Sequence, residues 1–215
     1  PDGAQAETPA VDPNRPMVAL SFDDGPHPKY TERICKSLKE HNVHATFFMV
    51  GTRIPMFETA FRAVLDGGHE IGNHTNAHVP MGKVSLAGMN AQLKAMSDTC
   101  VKYGGKPTVL YRPCNGAVKA EDAKGIEAPL ILWSVDTTDW KKGRTAGGIV
   151  QHIKDNVKDG DIILMHDMYE QTALAVPYIL DYLEEQGYQI VTVSELFAAR
   201  GITLKNGVQY RSAKK

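Results

Sequence analysis

An α/β domain built on a mostly parallel sheet is predicted by three observations. Seven short apolar runs alternate with stretches of helical period between residues 17 and 200. The 215 residues are enough for one sizeable core, with no internal repeat and no second shift of composition. The residues able to carry chemistry recur just after the apolar runs, where parallel strands hand over to their loops. The pattern leaves open whether the sheet closes into a barrel.

The elements follow in order. Residues 1–15 are rich in Pro, Ala, Asp and Gln without periodicity and read as a flexible leader or linker. A single domain is expected over 16–215. A strand over 17–22 precedes a helix over 30–41. A strand over 45–50 precedes a helix over 55–66 with Pro55 in its first turn. A short strand over 70–73 leads to a helix over 85–103, stopped by Gly104-Gly105. Strands over 108–111 and 130–135 flank a weak helix over 119–124. A helix over 146–156, a strand over 161–165 and a helix over 172–186 ending at Gly187 come next. A strand over 189–192 and a helix over 194–200, capped by Ser194 and stopped by Gly201, close the series.

Hydrophobic content of 42% and charged content of 23% are ordinary for a globular chain. A net charge of −1 gives no basic footprint for nucleic acid. No apolar run nears the roughly 18 residues needed to span a bilayer. No signal peptide is visible, and the start at Pro1 suits a mature or trimmed form. Cys35 reads as a small packed residue. Cys100 and Cys114 would close a short loop if bridged, which an extracellular setting allows; the other reading is three separate thiols.

Asp23 and Asp24 follow the first strand, and His74 and His78 follow the third. One carboxylate and two imidazoles form a three-ligand divalent metal site with a position open for water. The neighbouring carboxylate is free to act as its base. Asp-Asp-Gly-Pro is also good turn chemistry, and a His-x3-His pair is often merely solvated. Two adjacent carboxylates repel without a cation, and the strand-end placement favours the functional reading. Arg112, at the next strand end, is the natural partner for an ionised Asp. His166, with Asp136 or Asp139 beside it, has the makings of a general acid. Trp140 is a candidate sugar platform, although a Trp there is more often packing. His27, His41, His44, His69 and His152 are assigned no role.

Taken together, Ser21-Phe22-Asp23-Asp24-Gly25-Pro26, His74-Thr75-Asn76-Ala77-His78, Arg112-Pro113, Asp136-Thr137-Thr138-Asp139-Trp140 and Leu164-Met165-His166 resemble the five motifs of the polysaccharide deacetylases (NodB-homology type, carbohydrate esterase family four). The resemblance covers residues 17 to about 207, and the stretch from His166 onward resembles the peptidoglycan N-acetylglucosamine deacetylases. It implies a distorted (β/α) barrel of about seven parallel strands. It implies a divalent metal, zinc or sometimes cobalt, on Asp24, His74 and His78. Asp23 would be the base and His166 the acid, with Arg112 tethering Asp23 and Asp139 tuning His166. Leu164 and Trp140 would line an acetyl pocket, and Pro113 and Asn115 would border the substrate, with the Asn115 N–H as oxyanion donor. In one place the chain departs from the family, which commonly has Pro or Ala, an aromatic and Gly after Arg-Pro; here stand Cys114, Asn115 and Gly116. One wall of the substrate groove is therefore missing, and Tyr169 is a candidate to replace it.

The expected activity is metal-dependent removal of N-acetyl groups from N-acetylglucosamine units of a β-1,4-linked glycan, peptidoglycan or chitin-type. The alternatives are acetylxylan O-acetyl esterase and a non-catalytic glycan-binding module. A non-haem iron oxygenase also uses two His and one carboxylate, but the parallel α/β order argues against it. A monomer, exported from a bacterium to the cell wall or beyond and free of nucleic-acid partners, is expected.

Overall fold

The computed structural model describes residues 11–116 and 118–214. Its strands are β1 (Met17–Asp23), β2 (Thr46–Met49), β3 (Glu70–Asn73), β4 (Leu130–Ile131), β5 (Val135–Asp136), β6 (Ile162–His166), β7 (Gln189–Val191) and β8 (Gln209–Tyr210). The helices are α1 (Tyr30–Glu40), α2 (Glu58–Asp66), α3 (Leu86–Lys102), α4 (Ala120–Ala123), α5 (Ala146–Asn156), α6 (Glu170–Glu185) and α7 (Val193–Ala199). All the strand ladders are parallel.

β1 is the hub. All seven of its residues are buried, and it pairs with β2, β6 and β7. Successive side chains of a strand alternate between faces, and β1 divides accordingly. Val18, Leu20 and Phe22 join the core cluster formed with the covering helices, together with Phe47, Met49, Ile163 and Met165 of the flanking strands. Met17 and Ala19 point to the opposite face, with Phe48, Ile131, Ile162 and the α7 residues Leu196 and Phe197. Ser21 and Asp23 continue that second row, so the strand's last inward position is a carboxylate. Leu164 and His166 occupy the matching row of β6, and the register sets Asp23 beside His166.

Residues 108–111, expected as a strand, contribute only single bridges at Tyr111, to Asn73 and to Leu130. The expected strand 130–135 is broken. At its start β4 pairs with the unforeseen β8; at its end β5 pairs with β6. Between them Leu132 donates to the Tyr210 carbonyl and Ser134 to that of Ile162, so the segment changes partners as it crosses. Pairing thus passes from β6 through β1, β2 and β3, by bridges through Tyr111 to β4, and back to β6 through β5. Among the described residues no continuous ladder closes this path.

α7 is capped by Thr192 in a capping box with Glu195, not by Ser194. The Ser194 hydroxyl is taken by half-buried Glu70. Of the expected leader, residues 1–10 lie outside the described residues. Residues 11–15 are tied down: the Asp12 N–H donates to Gln189, Arg200 donates to the Pro13 carbonyl, and Val11 packs on the second cluster. The cysteines are three separate buried thiols, and Cys100 donates to the Lys106 carbonyl. No helix of the described residues is long and apolar enough to cross a membrane.

Candidate active site

A cleft of about 410 Å³ opens at the C-terminal ends of the strands, lined by Asp23, Asp24, His74, His78 and His166 among others. Five separate parts of the sequence meet here because parallel strands deliver their ends to one side. The backbone is held in the left-handed region at Asp24 (φ 72°), Thr75 (φ 67°), His78 (φ 51°), Asn115 (φ 61°) and Thr138 (φ 53°). Such conformations cost about 1–3 kcal/mol each and persist where surrounding structure enforces them.

Asp24 and the two histidines converge. The Nε2 atoms of His74 and His78 lie 3.2 and 3.1 Å from Asp24 Oδ1. His74 Nδ1 is 2.8 Å from the Arg112 carbonyl. A carbonyl only accepts, so Nδ1 carries a proton and Nε2 is the ring nitrogen left to face Asp24 or a cation. Asp24 Oδ1 is buried without a hydrogen-bond partner in this protein. Lone pairs aimed at one point from a carboxylate and two imidazoles are the donor set of a divalent cation, and the residues fit that group. Burial pushes the Asp24 carboxyl up, but the two imidazoles override it and hold it well below the usual range. Contact with Asp24, and next with Cys114, raises His78 to about 10.

Asp23 is nearly buried and accepts from Arg112 Nη1 at 2.7 Å. Arg112 is fully buried, with every side-chain nitrogen engaged. Nη1 also donates to Ser21 Oγ (2.8 Å), Nε to the Ile131 carbonyl (3.0 Å) and Nη2 to the Leu132 carbonyl (3.1 Å). Its guanidinium lies 4.0 Å from the centre of the Phe48 ring. A charge-assisted tether of this kind orients the carboxylate.

His166 is held by a carboxylate of its own. Its Nδ1 is 2.8 Å from Asp139 Oδ1, and its backbone N–H donates to Asp139 Oδ2 at 2.7 Å. Thr172 donates to the same Oδ2. Burial pulls the His166 imidazole down, but Asp139 outweighs it and raises it to about 9. Of the two carboxylates considered for this role, Asp139 fills it; Asp136 accepts the Thr138 N–H and lines the cleft.

Leu164, Asn115 and Trp140 line the cleft as expected, and Trp140 is half exposed. Pro113 does not; it is buried behind the turn, its carbonyl accepting the Gly116 N–H. Tyr169 lines the cleft in a T-shaped ring contact with His166. Trp133 also lines it and was not singled out from sequence. It stands in the break between β4 and β5, where the uninterrupted apolar run gave no sign of an opening. Its ring lies against Gly116: a Cβ there would meet the indole at 2.4 Å.

The polysaccharide deacetylase family model matches residues 10–127. The chain is 38% identical over 186 residues to the peptidoglycan-N-acetylmuramic acid deacetylase PdaC of Bacillus subtilis, covering 86% of this chain and 40% of that protein. It is 38% identical over 205 residues to the peptidoglycan-N-acetylglucosamine deacetylase PgdA of Listeria monocytogenes, covering 95% of this chain and 43% of that protein. The chain thus spans about two fifths of these relatives' length. Among solved structures, a family 4 acetyl xylan esterase from Clostridium thermocellum in complex with a cobalt ion superposes with a TM-score of 0.85 at 30% identity, over 91% of this chain and 98% of that one. With the five motifs assembled around one cleft, the chain belongs to the polysaccharide deacetylase family.

Proposed function

We propose that this protein is a metal-dependent hydrolase that removes N-acetyl groups from N-acetylglucosamine units of a β-1,4-linked glycan, releasing acetate. The observation that carries it is the convergence of Asp24, His74 and His78 on one point between tethered Asp23 and Asp139-held His166. Residues 16–215 are assigned as the catalytic domain, acting as a monomer on exported, cell-wall or extracellular glycan. The relatives named above, peptidoglycan deacetylases, support peptidoglycan over chitin.

Asp24, His74 and His78 would hold the cation, zinc being preferred for its affinity for nitrogen ligands and tolerance of an open position. When bound, the cation supplies Lewis-acid charge that makes a water acidic enough to deprotonate near neutral pH. Asp23 takes that proton as the water attacks the acetamide carbonyl, and Arg112 holds Asp23 in place for the task. Asn115 lines the cleft, and its backbone N–H would meet the developing oxyanion. His166 delivers a proton to the departing amine, and Asp139 keeps that proton on the ring. Leu164 offers an apolar surface to the acetyl methyl, and Trp133, Trp140 and Tyr169 offer ring faces to the sugar.

A second reading, O-deacetylation of xylan, draws on the acetyl xylan esterase neighbour. The test is acetate release from N-acetylglucosamine pentamer, peptidoglycan and acetylxylan, with and without chelator, followed by zinc or cobalt add-back. Chelator-sensitive release from the amide substrates supports the proposal. Release from acetylxylan alone replaces it with the esterase, and saturable glycan binding without release replaces it with a binding module.

A further inference from the structure

His74 and His78 each keep one ring nitrogen turned away from Asp24. For His74 it is Nδ1, bound to the Arg112 carbonyl. His78 places Nε2 against Asp24, which leaves Nδ1. The other side-chain group close to a His78 ring nitrogen is the Cys114 thiol. The Cys114 sulfur and one ring nitrogen from each of His74 and His78 all lie within 4.8 Å of one another. Cys114 is fully buried and also touches the His74 carbonyl at 3.5 Å and the Thr75 hydroxyl at 3.7 Å. It stands two residues after Arg112, at the start of the 3-10 turn Cys114–Gly116. The short segment 112–114 therefore lies against both imidazoles.

We propose that Cys114 is a positioning residue for the metal centre. Its sulfur accepts the Nδ1–H of His78, fixing the tautomer that leaves Nε2 free for a divalent cation, as the Arg112 carbonyl does for His74. The inference rests on the metal-site reading above. Outer partners of this kind orient ligating imidazoles and raise their basicity. A thiol is a weak acceptor but a bulky one. It fills the space behind a histidine whose own backbone sits in the left-handed region and whose side chain is 40% exposed. Of the two imidazoles, His78 is the less enclosed, so it depends more on such a partner.

The experiment measures zinc affinity directly, by competition with a chromophoric chelator, on the metal-stripped protein and its Cys114→Ser, Cys114→Ala and Cys114→Val variants. Thermal unfolding without metal checks that each is folded, and Val keeps the packing should Ala lose it. Removal of the acceptor in Ala and Val is expected to weaken zinc binding about tenfold to hundredfold. Ser, which keeps an acceptor, is expected to recover most of that loss. Cobalt-loaded wild type is expected to show no thiolate-to-cobalt charge-transfer band. Unchanged zinc affinity in folded Ala and Val variants overturns the proposal. So does a charge-transfer band in the wild type that vanishes in Ser, which would make the sulfur a direct ligand. The two readings fail separately. Zinc affinity that responds to Cys114 without any acetate release overturns the deacetylase assignment alone. Acetate release with zinc affinity indifferent to Cys114 overturns this inference alone.

Discussion

Asp139 and His166 are joined twice, side chain to side chain at 2.8 Å and carboxylate to backbone N–H at 2.7 Å. One carboxylate thus fixes both the charge and the position of the imidazole. The ring is raised to about 9, so it stays protonated through neutral pH and loses its proton only as the pH climbs past that value. An acid catalyst fails on the alkaline side, where its proton is gone. Asp139→Asn is therefore expected to move the alkaline limb of kcat/KM downward by roughly one to three pH units. A profile superposable on the wild type would remove Asp139 from the mechanism.

Asp23→Asn tests the base without disturbing the metal ligands. The amide can still accept from Arg112 Nη1, so the fold should hold. Turnover is expected to fall roughly 100-fold to 10,000-fold, the usual contribution of a positioned base. Zinc content measured on the purified variant should stay at the wild-type level. A variant with near wild-type rate would reassign the base.

Trp133→Ala tests the unforeseen wall of the cleft. Loss of a ring face costs about 0.5–1.5 kcal/mol, equivalent to a rise of about twofold to thirteenfold in KM for N-acetylglucosamine pentamer. The value of kcat should change little, because the indole touches none of the reacting groups. An unaltered KM would leave Trp133 as packing for Gly116.

His69 supplies a prediction far from the cleft. It is 7% exposed, and both ring nitrogens are without a hydrogen-bond partner in this protein. Burial, then the nearby His44, lowers it to about 4. The unfolded chain binds the proton first as the pH falls, so stability is full above about 6.5 and drops as the pH goes from there toward 4. The shift corresponds to a loss on the order of 3 kcal/mol. In urea unfolding between pH 7 and 4, His69→Leu should lack that part of the decline. Parallel curves for the two proteins would refute it.

The candidate site was more legible in the sequence than the sheet was. Asp23, His74, Arg112, Asp139 and His166 each end or follow an apolar run, and parallel topology alone brings such positions together. The sheet's irregular side was not legible. Two-residue strands such as β4, β5 and β8 carry no measurable periodicity. Tyr111 pairs through single bridges that no local pattern announces. Residues 130–135 looked like one strand because apolar side chains serve equally well on either side of a change of partner. Trp133 was hidden by that same break. Ser194 looked like a cap because Ser and Thr are interchangeable in that role, and only Glu195 sitting three residues after Thr192 decides between them. The pairing of Cys114 with the histidines depends on contacts that span tens of residues, beyond any local signal.

The Arg112 side chain occupies the place where the sheet lacks backbone. The carbonyls of Ile131 and Leu132, at the edge of the break, are satisfied by its Nε and Nη2, while Nη1 serves Ser21 and Asp23 on β1. A guanidinium here stands in for a missing stretch of strand and bolts the two banks of the gap together. Scaffold and chemistry are consequently inherited as one unit. Losing Asp24 or His78 would leave these bonds intact, whereas losing the arginine alone would strand the two carbonyls and Asp23 together. One substitution at this position would therefore disturb scaffold and chemistry at the same time.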